Sequence, residues 1–212
     1  MKPSRPFSVR PFLSGTLLFL SCLLPLLLFS CAPVRLRIPA YPGSVGQFIE
    51  ASRQKYNSMK GSFEFTLERA SGQRFSAEAV TVVTPDSVNV RVYRMGLPVG
   101  DLESLAGRKK LDYIVYEEAL RKALLWWDLD RYETERVPSG ILVTGNGDVK
   151  LVLAPRTYVP VSQTITLPES ELFITYSDYR LAGDFWYPYR IRIEYRGETL
   201  DLSAIQVELT RS

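Results

Sequence analysis

The sequence predicts a mainly β domain of the α+β class, a curled antiparallel sheet or incomplete β-barrel with short helices as a lid. Three observations carry this. Between residues 61 and 93, apolar and polar side chains alternate with a period of two, in runs parted by short turns. The second half returns to the same kind of run. Only two stretches have helical spacing, and no strand–helix–strand alternation appears, which argues against a parallel nucleotide-binding sheet.

The elements follow in order. Residues 32–46 hold Pro33, Pro39, Pro42, Gly43 and Gly46, the composition of a tether and a turn. Ser44 is placed to cap a helix expected to run to about residue 59, with Val45, Phe48, Ile49, Ser52 and Tyr56 along one side. Phe63, Phe65 and Leu67 then alternate with Ser62, Glu64, Thr66 and Glu68. Ser71-Gly72 turns the chain into a run over 74–84, and Pro85-Asp86 turns it again. Val88, Val90 and Val92 alternate with Asn89, Arg91 and Tyr93, which completes an antiparallel meander. Gly96-Leu97-Pro98-Val99-Gly100 reads as an apolar loop bracketed by glycines.

Residues 101–106 and 110–116 read as a hairpin across Gly107, followed by a helix over 117–127 with Leu120, Ala123, Leu124 and Trp127 on one side. A helix start nearer Leu111 is the alternative. Strands are expected over 141–144, 149–154, 158–167 and 171–179, and a closing hairpin over 187–195 and 199–209 about Arg196-Gly197-Glu198. No linker, repeat or low-complexity tract interrupts residues 44–212, so they are expected to form one domain. Such a sheet can curl on itself, pack on a second sheet or lie beneath its helices. Phe63, Phe65, Leu67, Val88, Val90 and Val92 would line a cavity in the first case and fill a core in the second. Periodicity leaves that choice open.

The first thirty residues have a different character. A basic start with Lys2, Arg5 and Arg10 precedes an apolar run over 12–29 and then Ser30-Cys31. These are the parts of a secretory signal. Leu28-Phe29-Ser30-Cys31 resembles the bacterial lipobox, with leucine three before the cysteine and a small residue just before it; Phe29 stands where that pattern has a small residue. Residues 1–30 are thus expected to be a signal peptide and residues 31–43 a lipidated tether. Cys31 would carry a thioether-linked diacylglycerol and an amide-linked acyl chain, enough for stable anchoring. An uncleaved membrane span is the competing reading, against which Pro25 counts. Cys22 lacks a leucine three residues before it. Ala32 stands where many bacteria read aspartate as an inner-membrane retention signal, which favours an outer-membrane, periplasm-facing position.

Composition narrows the chemistry. Removing the leader takes 26 basic residues to 23, level with the 23 acidic ones, so nucleic acid is not an expected partner. The chain has no histidine, the usual general base and metal ligand, and neither a catalytic set nor a metal site nor a bound cofactor is expected. Glu117-Glu118 and Asp128/Asp130 are the nearest approach to paired carboxylates and read as a solvated face and a helix end. Gly145-Asn146-Gly147-Asp148 lacks the Lys-Ser/Thr of a phosphate loop and fits a hairpin turn. If Trp126 and Trp127 lie on a helix, they point about 100° apart, so that Trp127 enters the core and Trp126 lies at a rim. Alternation puts Phe185, Tyr187 and Tyr189 on one face and Trp186 on the other.

The order of these features resembles the LolA/LolB-like lipoprotein-localisation family, over roughly residues 44–210. The resemblance rests on Ser58-Met59-Lys60-Gly61 at a strand opening, on the late strands with Val161-Ser162-Gln163-Thr164-Ile165-Thr166-Leu167 and Leu172-Phe173-Ile174-Thr175-Tyr176-Ser177-Asp178-Tyr179, and on a hairpin with Pro188-Tyr189-Arg190-Ile191-Arg192-Ile193 and Leu200-Asp201-Leu202. It implies a helix-capped incomplete barrel, a non-enzymatic carrier or receptor whose apolar hollow takes the acyl chains of a lipoprotein or lipid. It also maps Leu97 onto the membrane-contacting loop of the LolB-type receptor. The alternative is that Leu97 and Val99 pack against the sheet. A structural or assembly lipoprotein of the envelope, with a protein partner and no cavity, is the rival function.

Mass spectrometry of the native product should find Cys31 as its first residue, bearing a diacylglycerol and an N-acyl chain. An unmodified cysteine or a retained leader would refute this.

Overall fold

The structure, a computed structural model, describes residues 37–101, 110–145 and 147–211, with the side chains of residues 110–114 and 116 outside the description. The signal segment, Cys31 and the lipobox residues Leu28, Phe29 and Ser30 lie outside it.

Ser44 starts the first helix, α1 (Val45–Lys55). Its Oγ accepts the Gln47 N–H at 3.2 Å, and Gln47 Oε1 accepts the Ser44 N–H at 2.8 Å. This capping box satisfies two otherwise unpaired donors of the helix start. Phe48, Ile49 and Ser52 form the buried side, as the spacing predicts. The helix stops at Lys55 rather than near residue 59, because Ser58 and Met59 are already paired in a strand with Thr210 and Leu209.

Eleven strands follow: β1 (Ser58–Glu68), β2 (Arg74–Val83), β3 (Val88–Arg94), β4 (Leu97–Asp101), β5 (Tyr132–Val137), β6 (Gly140–Gly145), β7 (Val149–Leu153), β8 (Pro160–Leu167), β9 (Ser170–Ala182), β10 (Phe185–Tyr195) and β11 (Glu198–Thr210). They form one antiparallel sheet in the order β4-β3-β2-β1-β11-β10-β9-β8-β7-β6-β5, which β4 and β5 end without closing into a barrel. The second helix, α2 (Lys110–Leu124), crosses between β4 and β5 in sequence. At Gly61, a Cβ would meet the Phe63 ring at 2.6 Å and the Gln206 carbonyl oxygen at 3.2 Å, so only glycine lets that ring lie over the strand.

Three expectations are corrected. Residues 97–101 are not a loop but the strand β4, whose proline is tolerated because only one side of the strand is paired. Residues 110–116 are not half of a hairpin; they open α2, and of the partner half, 101–106, Asp101 ends β4 while the rest lies outside the described residues. The helix ends at Leu124, so residues 125–127 turn the chain and the 100° rule does not govern the two tryptophans. Trp126 is therefore not at a rim: it is 1% exposed and Trp127 0%. β5 had no counterpart in the sequence reading.

The sheet is curled around α2. Arg121 Nη1 donates to the Pro85 carbonyl in the β2–β3 turn at 2.9 Å, while Lys122 Nζ meets Asp148 in the β6–β7 turn at 2.7 Å. Those turns lie seven strand positions apart in the sheet order, which at about 4.8 Å per strand would put them more than about 30 Å apart if the sheet were flat. Two adjacent side chains cannot bridge that distance, so the sheet wraps inward. Its inner face and the buried side of α2 (Ala119, Leu120, Ala123 and Leu124) form one continuous core.

Trp126 and Trp127 plug the middle of that core. Their rings meet edge-on at 5.2 Å, Trp126 stacks on Phe48 and Phe185, and Trp127 contacts Phe185 and Tyr187. The Trp127 Nε1–H donates to the Tyr56 carbonyl at 2.7 Å, and the Tyr187 hydroxyl donates to the Leu124 carbonyl at 3.0 Å. Phe185 and Tyr187 are buried together, as the alternation predicts, whereas Tyr189 is half-buried and lies beneath the Arg180 guanidinium. The Trp127→Ala chain should lose about 3–5 kcal/mol of stability, read from urea unfolding midpoints.

Candidate functional site: an apolar hollow on the inner face

All six residues proposed as lining face inward and are buried: Phe63, Phe65, Leu67, Val88, Val90 and Val92. They do not share one environment. All six belong to the core, but Leu67 and Val92 also border an opening. That opening is a hollow of about 370 Å³ toward the β4 side of the sheet, lined among the described residues by Leu67, Arg69, Phe75, Val92, Arg94, Val99 and Gly100.

Strand register builds it. The Ser71-Gly72 turn sets Leu67 opposite Phe75 across β1 and β2. The Phe75 ring also contacts Phe65 at 5.8 Å, joining the floor of the hollow to the core. Val92 faces Gly100 across β3 and β4, and a register shift next to this pair brings Val99 to the rim. Arg69 and Arg94 each lie two residues beyond an inward apolar side chain, Leu67 and Val92, so they carry the inward row onward to the mouth. The result is an apolar floor with two guanidinium groups at its edge. Among the described residues no carboxylate lines it.

Sequence reasoning missed Phe75, Arg69, Arg94 and Gly100. The signal for Phe75 was present: in a turn centred on Ser71, Leu67 and Phe75 each lie four residues from the centre and so face each other. The two arginines gave none, because arginine at a strand end usually faces water.

Beside the hollow, the β3–β4 tip exposes apolar side chains. Met95 is 93% exposed, Leu97 68% and Val99 53%. The alternative that Leu97 and Val99 pack against the sheet is thus corrected for both. Pairing with β3 fixes the backbone of β4 while leaving these side chains largely exposed, Leu97 opposite Arg94 and Val99 at the rim of the hollow.

The remaining candidates resolve into supports. Glu118 is held by Arg121 at 2.9 Å and Lys122 at 3.0 Å, and Asp128 and Asp130 both pair with Arg53. Gly147 and Asp148 lie in the β6–β7 turn, as expected of a hairpin. Among the described residues no cluster of acidic or cysteine side chains could hold a metal ion, and no helix is long and apolar enough to cross a membrane. Burial alone would raise the Glu118 carboxyl, but hydrogen bonds and charge from Arg121 and Lys122 outweigh it and leave the group below the usual glutamate value. Burial raises the Asp128 carboxyl above its usual value despite Arg53.

No family model matches the chain, and no curated protein matches it. Solved structures are similar in shape, among them the following three. A putative outer membrane lipoprotein-sorting protein domain from Vibrio parahaemolyticus is 10% identical, with a TM-score of 0.44, over 78% of this chain and 90% of that one. A LolA superfamily protein from Nitrosomonas europaea is 12% identical, with a TM-score of 0.43, over 80% and 96%. A DUF1329 family protein from Desulfovibrio piger is 9% identical, with a TM-score of 0.43, over 78% and 90%.

Because the folded-state value of Glu118 is depressed, its contribution to stability is complete above the unfolded value and is lost as pH falls through the folded one. Urea midpoints measured from neutral pH down through the carboxylate range should therefore fall less steeply for Glu118→Gln than for the natural chain. Parallel curves would contradict the assignment.

Proposed function

We propose that this chain is a membrane-anchored, non-enzymatic lipoprotein that carries or receives acyl chains, in the manner of the LolB-type receptor its strand order resembles. The observation that carries the proposal is the hollow of about 370 Å³ with Leu67, Phe75, Val92 and Val99 at its walls. Each methylene moved from water into such surroundings contributes about 0.8 kcal/mol, so that a chain of ordinary length is held without any directional bond.

Two further features fit. Leu97, with Met95 beside it, offers an apolar tip next to the mouth, suited to touching a bilayer from which a chain is drawn. The lipobox at Leu28, Phe29 and Ser30 would tether the domain through Cys31, facing the periplasm from the outer membrane. The partners are then the membrane and a lipoprotein or lipid whose tails enter the hollow.

The rival, an assembly subunit with a protein partner and no lipid cargo, is favoured by the buried aromatic cluster of Trp126, Trp127, Phe48 and Phe185, which occupies the part of the inner face beneath the end of α2. A fluorescent fatty acid titrated onto residues 38–212 separates the two. Saturable one-to-one binding is expected, and Val99→Trp, which places an indole at the rim, should abolish it while leaving the unfolding midpoint within about 0.5 kcal/mol. Absence of binding to the natural chain would favour the rival.

A further inference from the structure

We infer that the domain rests on the bilayer holding Cys31 through one patch of its outer face, formed by Leu181, Trp186, Ile205 and Val82 at the end of the sheet where α1 joins β1. The inference rests on the anchoring part of the reading above and adds the side on which the domain meets its membrane.

The leash is short. Of the stretch expected as a tether, residues 41–43 are bound to the domain. The Tyr41 N–H donates to the Arg156 carbonyl at 2.9 Å, the Tyr41 ring meets Phe48 edge-on at 5.0 Å, and the Tyr158 hydroxyl donates to the Gly43 carbonyl at 3.2 Å. Residues 38–42 line one hollow with Asp184, Phe185 and Trp186, so the chain enters the domain beside the β9–β10 turn. Six residues separate Cys31 from Ile38. Fully extended, that stretch reaches at most about 25 Å. An acylated Cys31 therefore keeps this end of the sheet close to the bilayer.

The same end exposes apolar side chains. Phe185 and Tyr187 point into the core, so Trp186 between them points outward, opposite Leu181 across β9 and β10. Ile205 on β11 is the extra residue where the register shifts against β1. Leu181 and Ile205 are each more than half exposed, and Val82 on β2 is exposed between the buried Thr81 and Val83. Charges among them are of both signs. Lys60 lies between Val82 and Glu208, and Lys55 pairs with Asp184 beside Trp186. Contact thus falls to the apolar groups rather than to attraction for anionic lipid.

So few side chains would not hold a free domain on a membrane. A short linker supplies an effective concentration on the order of millimolar, so a weak contact suffices once Cys31 is in the bilayer. Tryptophan suits such a boundary, because its ring is apolar and its N–H still reaches water. The Leu97 tip lies toward the other end of the strands: Val82 faces Asn89 near the start of β3, whereas Leu97 faces Arg94 at its end. The tip is left to meet a second surface.

The experiment uses the full chain with its native modification, held in nanodiscs of phosphatidylcholine or of its dibrominated form. Bromine quenches an indole only in near contact. The chain has three tryptophans, and Trp126 and Trp127 are shut inside the core, so Trp186 is the reporter. Its emission should be largely lost in the brominated discs, and Trp186→Phe should remove the difference between the two lipids. Leu181→Asp combined with Ile205→Asp should restore most of the emission without moving the urea midpoint. Met95→Asp combined with Leu97→Asp should leave the loss unchanged. Equal emission from the anchored chain in both lipids would overturn the inference and leave the anchor standing, as would quenching that survives the Leu181 and Ile205 changes or is relieved equally by the Met95 and Leu97 pair. A native product that carries no lipid on Cys31 and stays out of the discs would overturn both.

Discussion

An eleven-stranded sheet that does not close has an inner apolar face too large to leave in water, and the rest of this structure follows from how that face is covered. The cover is the last part of α2 and the corner after it. Two aromatic side chains fasten it with their polar ends. The Tyr187 hydroxyl reaches from β10 to the Leu124 carbonyl, one of the acceptors a helix end leaves unpaired. Trp127 returns a bond to the Tyr56 carbonyl where α1 stops. The sheet thus caps the helix that covers it, and the corner after the helix, with Leu125, Trp126 and Trp127, is buried in the core. Curling of the sheet then lets Arg121 and Lys122 reach turns that belong to distant strands.

The same arrangement explains why the inner face has two characters. Close to the tryptophans it is filled, and Phe63, Phe65, Val88 and Val90 contribute to an ordinary core. Toward β4 the strands run past the described cover, and Leu67 and Val92 border open space. A packed core and an open hollow, which look like alternatives when only periodicity is considered, occupy successive stretches of the same strands. Alternation tells which side chains point inward; it says nothing of what meets them there.

This contrast also marks how far the sequence could be read. β1, β2 and β3 were legible because Ser71-Gly72 and Pro85-Asp86 separate clean alternations, and α1 because Ser44 precedes Val45, Phe48, Ile49 and Ser52 at helical spacing. β4 was hidden by Pro98 and its flanking glycines, which have the composition of a turn yet are tolerable on a strand paired on one side only. β5 was hidden because Glu133, Thr134, Glu135 and Arg136 are all exposed and so show no two-residue period. Trp126 was misplaced because a rule for helices was applied beyond the last helical residue. The hollow itself required register: Phe75 joins it through its partner Leu67 across the sheet, Val99 through the register shift in β4, and Arg69 through the direction in which β1 ends.

The two strands that end the sheet deserve comparison on this ground. A terminal strand offers a ladder of donors and acceptors on which another copy of the chain can build. Here β4 carries a proline, which lacks the amide hydrogen such a ladder needs at that position, and a shifted register beside it. β5 instead presents charge on successive residues, with Glu133 and Glu135 on one side and Arg136 next to them. Each margin thus disfavours fibre-like stacking by a different means, and the sheet can stay unclosed without recruiting its neighbours into polymers.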